Sequence, residues 1–238
     1  MDVVYLVRPG NRNEELRWSL RTLVNLPHDR VWIVGHMPDW IDRRKVQYLR
    51  TEQYDLKHAN TLNNLAAACE HSDISDRFIL MNDDFFVLQP VDQLPALHCG
   101  PVGEWIARRS DTSHRLRTIR TRDLLVELGY DESQLLFYEL HVPMPVDRAV
   151  MMEAIELMRG QRRPWAYNKR TLYGNLAGIG GERATDCKIM DDVKWDRLGG
   201  AATVEQWRFL STMDGAFKYG KVGRWLRARF PDRSPYER

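Results

Sequence analysis

The chain has 238 residues, 43% of them hydrophobic, 29% charged and 10% aromatic, a globular composition long enough to bury a sizeable core. Its 35 Lys and Arg against 33 Asp and Glu leave a formal charge of +2, which excludes a uniformly basic nucleic-acid coat and an acidic solvating tail. No apolar run approaches the roughly 18 residues a membrane helix needs, and MDVVYLVRPG has no basic leader, so no signal peptide is expected. Cys69, Cys99 and Cys187 form neither a CxxC pair nor a zinc spacing, which reads as reduced thiols in a cytoplasmic protein.

In chain order, residues 3–7 (VVYLV) form a short apolar run ended by Pro9-Gly10, the pattern of a buried strand. Asn11 or Asn13 is placed to cap a helix carrying Leu16, Leu20, Leu23 and Val24 on one face. Residues 31–34 (VWIV) read as a second buried strand, and Val46, Tyr48 and Tyr54 mark a weaker third. A helix is expected over 60–71, then a strand over 78–81 and renewed apolar character at 85–87. This alternation implies an α/β fold with parallel strands. Beyond it, residues 104–130 are rich in arginine, 148–159 have the pattern of an amphipathic helix, and 174–181 (GNLAGIGG) read as loop. Residues 204–212 and 216–230 are expected to be helical. No repeat or linker divides the chain, so a single domain over 1–238 is expected: a ligand-binding α/β half (1–100), a catalytic half (101–200) and a basic helical segment (201–238).

The sharpest local signal is residues 78–86, FILMNDDFF, where Asn82, Asp83 and Asp84 interrupt an apolar strand. Adjacent carboxylates at a strand end are costly unless compensated. A divalent cation (Mn²⁺ or Mg²⁺) held by Asp83 and Asp84 against a diphosphate would compensate them, and ligands of open α/β sheets sit at the carboxyl ends of the strands. The alternative is a solvated turn. Asp191-Asp192 is a second acidic pair, with a loop as its plain reading. His141, between acidic and proline-rich flanks (ELHVPMP), suits a general acid or base, against the alternative of a structural histidine. Arg148 and Arg170 are natural clamps for diphosphate oxygens, or surface charges. Arg17, sharing a helix face with Arg21, and the amides Asn60 and Asn64, four apart on a later helix, complete a candidate donor pocket. There is no GxxxxGK[ST] loop, no GxGxxG after the first strand and no GxSxG elbow.

The order of these blocks resembles the Stealth family of capsule-polysaccharide and N-acetylglucosamine phosphotransferases. The likeness lies in Asp2-Val3-Val4-Tyr5 with Gly10, residues 13–21 (NEELRWSLR), Pro38-Asp39-Trp40, Asn60 leading to residues 78–86, residues 141–148 (HVPMPVDR) and residues 187–193 (CKIMDDV). It spans roughly residues 1–195. The resemblance implies a GT-A-like (Rossmann-like) mostly parallel sheet flanked by helices, with a more helical C-terminal part. It implies transfer of a sugar or sugar 1-phosphate from a nucleotide diphosphate sugar to an acceptor hydroxyl, with phosphotransfer favoured. In that reading Asp83 and Asp84 hold the metal, and His141, Arg170, Asp192 and Asp84 are catalytic. Arg17, Asn60, Asn64, Asn82 and Arg148 bind the donor. One difference is that Arg8-Pro9-Gly10 stands where the family carries an acid before its loop glycine.

Two further readings stay open. One is a plain GT-A glycosyltransferase acting on a glycan, a protein or a modified nucleic-acid base. The other is a non-catalytic polyanion-binding module using the arginines at 108–122 and the basic stretch of Lys218, Lys221, Arg224, Arg227 and Arg229 around Trp225.

Overall fold

The computed structural model describes residues 1–10, 12–110 and 112–238. The first half contains β1 (Asp2–Val7), α1 (Glu14–Thr22), β2 (Val31–Gly35), β3 (Gln47–Arg50), α2 (Lys57–Glu70), β4 (Arg77–Asn82), β5 (Phe85–Val87) and β6 (Leu97–His98). There follow α3 (Val102–Ala107), α4 (Ser113–Glu127), β7 (Met144–Asp147), α5 (Arg148–Arg159), α6 (Lys169–Leu176), β8 (Glu182–Arg183) and β9 (Lys188–Ile189). The chain closes with α7 (Asp192–Arg197), α8 (Ala201–Val204), β10 (Phe209–Thr212), α9 (Asp214–Tyr219) and α10 (Lys221–Arg229). Among the described residues no helix is long and apolar enough to cross a membrane.

Five strands form the main sheet in the order β3-β2-β1-β4-β7. The first four are parallel, with Tyr5 opposite Ile33 on one side and Met81 on the other, and β7 runs antiparallel to β4. Period-two alternation sends Val4, Leu6, Trp32, Val34, Phe78 and Leu80 to one face, where they meet α2, α5 and α6. Val3, Tyr5, Val7, Ile33, Ile79 and Met81 take the other face, against Leu16 and Leu20 of α1. Both faces are covered, which is why these strands read as unbroken apolar runs. A second sheet, β5-β10-β9, carries a third core of Phe86, Ile189, Leu210, Phe217 and Leu226. The α/β class with a mostly parallel, helix-flanked sheet is therefore as expected.

Several local expectations change. Residues 209–212 form the central strand of the second sheet, not a helix, because β5 and β9 pair with it on both sides. Gly174 lies inside α6, where a Cβ would come within 2.5 Å of the Tyr138 ring, and only the stretch after Leu176 is loop. The expected helix over 216–230 is two helices divided at Gly220. Asn13 occupies the N-cap of α1 without a side-chain capping bond, and its amide instead donates to the Arg8 carbonyl at 3.2 Å. Asn11, the other candidate cap, lies outside the described residues. The three expected segments interlock: β7 completes the main sheet of the first, and β10 of the last pairs with β5.

Gly35 ends β2 at φ +109°, and a Cβ there would stand 2.2 Å from the Val7 carbonyl and 2.5 Å from the Asn64 amide. Gly35→Ala combines a disfavoured backbone with a backbone clash and is expected to cost at least about 2 kcal/mol in denaturant unfolding. A variant as stable as the parent would show that the β1–β2 edge relaxes freely.

Candidate active site

The strand order reverses between β1 and β4, so the crevice at their carboxyl ends is the topological switch point of the sheet. Two segments meet there: the loop Arg8-Pro9-Gly10 after β1, and Asp83-Asp84 after β4. Only these two residues separate the last residue of β4 from the first of β5 in the other sheet. Helix α1 holds the far side of this turn. Tyr5 Oη and Ser19 Oγ lie 2.8 Å apart, Ser19 Oγ donates to the Phe85 carbonyl, and Val87 N donates to Thr22 Oγ1 at 3.0 Å.

The two aspartates have different surroundings. Lys188 Nζ of β9 donates to Asp84 Oδ2 at 2.9 Å, and Ser211 Oγ of β10 donates to the same oxygen at 3.2 Å. Burial, and then the charge of Asp84, raise the Asp83 carboxyl above the usual range. Glu15 of α1 accepts a 2.6 Å bond from Thr212 Oγ1, yet burial, reinforced by Asp84, Asp83 and Asp214, pushes it up to about 8.

This donor set differs from the expected metal site. Lys188 and Ser211 occupy one oxygen of Asp84. Among the described residues, no three His, Cys, Asp or Glu side chains converge to hold a metal ion. The positive charge on Asp84 comes from an ammonium group of the chain itself, so Asp83 and Asp84 do not fit a divalent cation as arranged.

His141 is fixed by a residue that sequence reasoning missed. Its backbone N donates to Asp186 Oδ1 at 3.0 Å, and its Nδ1 lies 2.9 Å from Asp186 Oδ2. With Nδ1 as the protonated nitrogen, Nε2 is left as the acceptor, without a protein partner among the described residues. Burial pushes the Asp186 carboxyl up, but the bonds and charge of His141 outweigh that and hold it below its ordinary value. Arg170 braces the same segment. Its buried guanidinium donates from Nη1 to the carbonyls of Leu140 (2.9 Å) and Val142 (2.7 Å), on either side of the histidine, and stacks 5.1 Å over the Phe85 ring. Phe85 in turn meets the His141 ring edge-on, with centroids 6.3 Å apart.

Two cavities flank the acidic turn. One, about 560 Å³, is lined by Arg8, Gly10, Arg12, Glu15, Asp83 and Lys218 among others. The other, about 270 Å³, contains His141, Asn82, Phe85 and Arg170 together with side chains of α2, α4 and the segment before α6. The turn thus presents Asp83 to one cavity and its two flanking residues to the other.

Other expected site residues lie elsewhere. Arg148 follows β7, whose antiparallel direction carries it to the opposite edge of the sheet, where it pairs with Asp76 and donates to the His71 carbonyl at 3.0 Å. Asp192 accepts from Lys221 N at 2.7 Å and so tethers the start of α10; the acid beside the histidine is Asp186. Arg17 rests on the Trp40 ring at 4.6 Å and faces Glu237 at 3.5 Å. Asn60 bonds both backbone groups of Tyr54. Asn64 reaches the Val7 and Val34 carbonyls and accepts from Thr51 Oγ1 at 2.6 Å. Both amides are spent on fastening the 51–54 segment and the strand ends. The basic stretches are dispersed: Arg108 pairs with Glu104, Arg122 with Asp123, and Lys221 with Asp196, while Arg224 and Arg227 donate to backbone carbonyls. Asp186 and Lys188 carried a faint signal. They alternate around buried Cys187, the spacing of one face of an extended chain.

No protein-family profile and no curated protein matches the sequence. Two solved structures share its fold over nearly its whole length. An active-site mutant of LgtC aligns with a TM-score of 0.51 at 10% identity, covering 98% of this chain and 97% of that one. The galactosyltransferase LgtC in complex with donor and acceptor sugar analogs aligns with a TM-score of 0.50 at 10% identity, covering 97% and 94%. At this identity the likeness is one of fold, and the fold is GT-A-like.

Glu15 keeps its proton in the folded protein to about 8, against an ordinary value of 4.5. The folded state therefore binds the extra proton between those values. Stability is complete below the lower one and falls as pH rises through the upper one. Glu15→Gln should flatten this fall and be more stable than the parent near pH 8 by about 1–4 kcal/mol; identical melting profiles would show that the carboxyl is ionised in the fold. A second expectation concerns Lys188. Without nucleotide, Mn²⁺ should leave the melting temperature of the parent unchanged but raise that of Lys188→Ala, in which Asp84 is freed. Equal stabilisation of both proteins would mean that the ammonium yields to the metal.

Proposed function

We propose that this chain is a nucleotide-sugar-dependent transferase, with the donor in the cavity at the β1 loop and the acceptor hydroxyl at His141. The observation that carries this reading is the pairing of His141 with Asp186 beside the Asp83-Asp84 turn, at the switch point of a GT-A-like sheet. The similarity to a galactosyltransferase that takes donor and acceptor sugar analogs supports the same reading.

The electrostatics admit an anionic donor. Asp84 is neutralised by Lys188, Glu15 is protonated near neutral pH, and the Asp83 carboxyl is raised. Arg8, Arg12 and Lys218 line the same cavity, beside Glu14 and Asp214, and supply positive charge for the diphosphate. In the reaction, Nε2 of His141 takes the proton of the acceptor hydroxyl. Asp186 holds Nδ1–H and stabilises the imidazolium as it forms. Arg170 acts by positioning the segment that carries the histidine.

Attack at the sugar-linked phosphorus breaks the phosphoanhydride bond, transfers sugar 1-phosphate and releases a nucleoside monophosphate. This is the outcome favoured by the Stealth resemblance, and catalysis then consists mainly of positioning and charge stabilisation. Attack at the anomeric carbon breaks the carbon–oxygen bond and releases a nucleoside diphosphate, as in plain glycosyl transfer.

A panel of nucleotide sugars read by thermal shift identifies the donor, and the released nucleotide then reports the bond cleaved. His141→Ala is expected to abolish turnover with the circular dichroism spectrum unchanged. Asp186→Asn is expected to lower kcat by about 100-fold or more and to displace its pH profile. Unimpaired turnover in either variant removes that residue from the mechanism, and a panel without a single stabilising donor removes the reading itself.

A further inference from the structure

The cavity around His141 is far more basic than proton transfer to one base requires. Lys57 at the start of α2, Arg117 of α4, and Lys169 and Arg170 of α6 line it, together with His58 and His114. Among the described residues Glu139 is the single carboxylate in its wall, and both Arg170 N and Thr171 N donate to its Oε1, at 2.9 and 3.0 Å. That carboxylate is therefore engaged in capping α6.

None of the four cations forms an ion pair among the described residues, although the charge of Glu139 reaches Lys169 and Arg170. Arg117 spends Nη1 on the His58 ring (2.9 Å to Nε2), while its buried Nε has no partner among the described residues. Arg170 is only 4% exposed, and its Nη2 is also a buried donor without a partner. Unmet buried donors on guanidinium groups are costly, and an anion entering the cavity would satisfy them. The field of this cluster is felt by its own members. Burial, followed by the charges of Arg117, Lys169 and Lys57, pushes His58 down to about 4, and burial lowers the Lys169 ammonium. Trp165 lies in the same wall with 40% of its surface exposed, and Tyr167 lies beside it; both offer aromatic faces to a sugar ring.

We infer that this cavity recognises a phosphate group borne by the acceptor: the acceptor is a phosphorylated sugar whose ring lies against Trp165, whose phosphate meets Arg117, Lys169 and Arg170 Nη2, and whose hydroxyl reaches His141. The inference rests on the transferase reading and names its acceptor class. The donor diphosphate belongs to the other cavity, across the Asp83-Asp84 turn. A phosphorylated acceptor would explain why a compartment holding the general base contains four basic side chains, two lysines and two arginines.

The test follows the imidazole resonances of His58, His114 and His141 by NMR in the full-length protein, titrated at constant ionic strength. The probes are inorganic phosphate, glucose 6-phosphate, and phosphatidylcholine vesicles with and without phosphatidic acid. Phosphate and glucose 6-phosphate are expected to shift all three histidines. Arg117→Gln and Lys169→Gln should each weaken binding by about tenfold or more, while Arg8→Gln, on the donor side, should leave it unchanged. Response to glucose 6-phosphate but not to vesicles assigns a soluble sugar phosphate. Vesicle binding that depends on phosphatidic acid and is lost in the two cavity variants, without a response to glucose 6-phosphate, shows a lipid phosphate in place of a sugar phosphate and overturns the inference.

Unshifted histidines overturn the inference, as does binding lost in Arg8→Gln but retained in the cavity variants. Displacement of phosphate from these histidines by the nucleoside diphosphate of the cognate donor would make the cavity the diphosphate site and also overturns it. Failure of the transferase reading is a separate result: no nucleotide sugar binds, whatever phosphate does.

Discussion

Two residues carry the chain from one sheet to the other. β4 ends at Asn82 and β5 begins at Phe85, so Asp83 and Asp84 must bridge two sheets whose hydrogen-bond ladders are fixed independently. A crossing this short leaves the backbone little freedom. It sets the acidic turn at the carboxyl end of β4, between a cavity built by the β1 loop and another built by α2, α4 and the segment around His141. The buried polar contacts from α1 to the Phe85 carbonyl and Val87 N hold the second sheet against the first, and with it the place of the turn.

Charge is arranged around this junction by compensation. Carboxylates drawn together near a low-dielectric interior must find cations, take up protons or repel one another. Here Asp84 finds Lys188, Glu15 takes a proton, and Asp83 is raised by burial and then by its neighbour. Across the turn, cations outnumber the one carboxylate found in the wall among the described residues. In the proposed reading, two polar cavities joined at a single turn bring two polar substrates to a common point.

His141 shows how far such a site depends on its supports. Pro143 and Pro145 keep the following chain extended, Arg170 clasps the carbonyls on either side of the ring, and Asp186 orients the ring itself. The supports come from three separated stretches of sequence. The fold itself constrains the histidine, and in the proposed mechanism this reduces the reorganisation required during proton transfer.

The sequence by itself determined the parallel α/β core, because unbroken apolar runs bounded by Pro, Gly and polar residues have few other solutions. It also marked Asp83, Asp84 and His141, since acids and an isolated histidine beside apolar strands stand out locally. It misplaced Arg148 and Asp192 because strand direction and helix docking are long-range properties: an antiparallel β7 sends Arg148 to the wrong edge, and α10 claims Asp192. The strand at 209–212 escaped for the same reason, its identity being decided by β5 and β9 on either side. Only tertiary structure decided the partners Asp186 and Lys188, which lie 45 and 104 residues from the groups they serve. Hydrogen bonds and charge pairs act through space, and spacing along the chain records them only when both partners lie in one element.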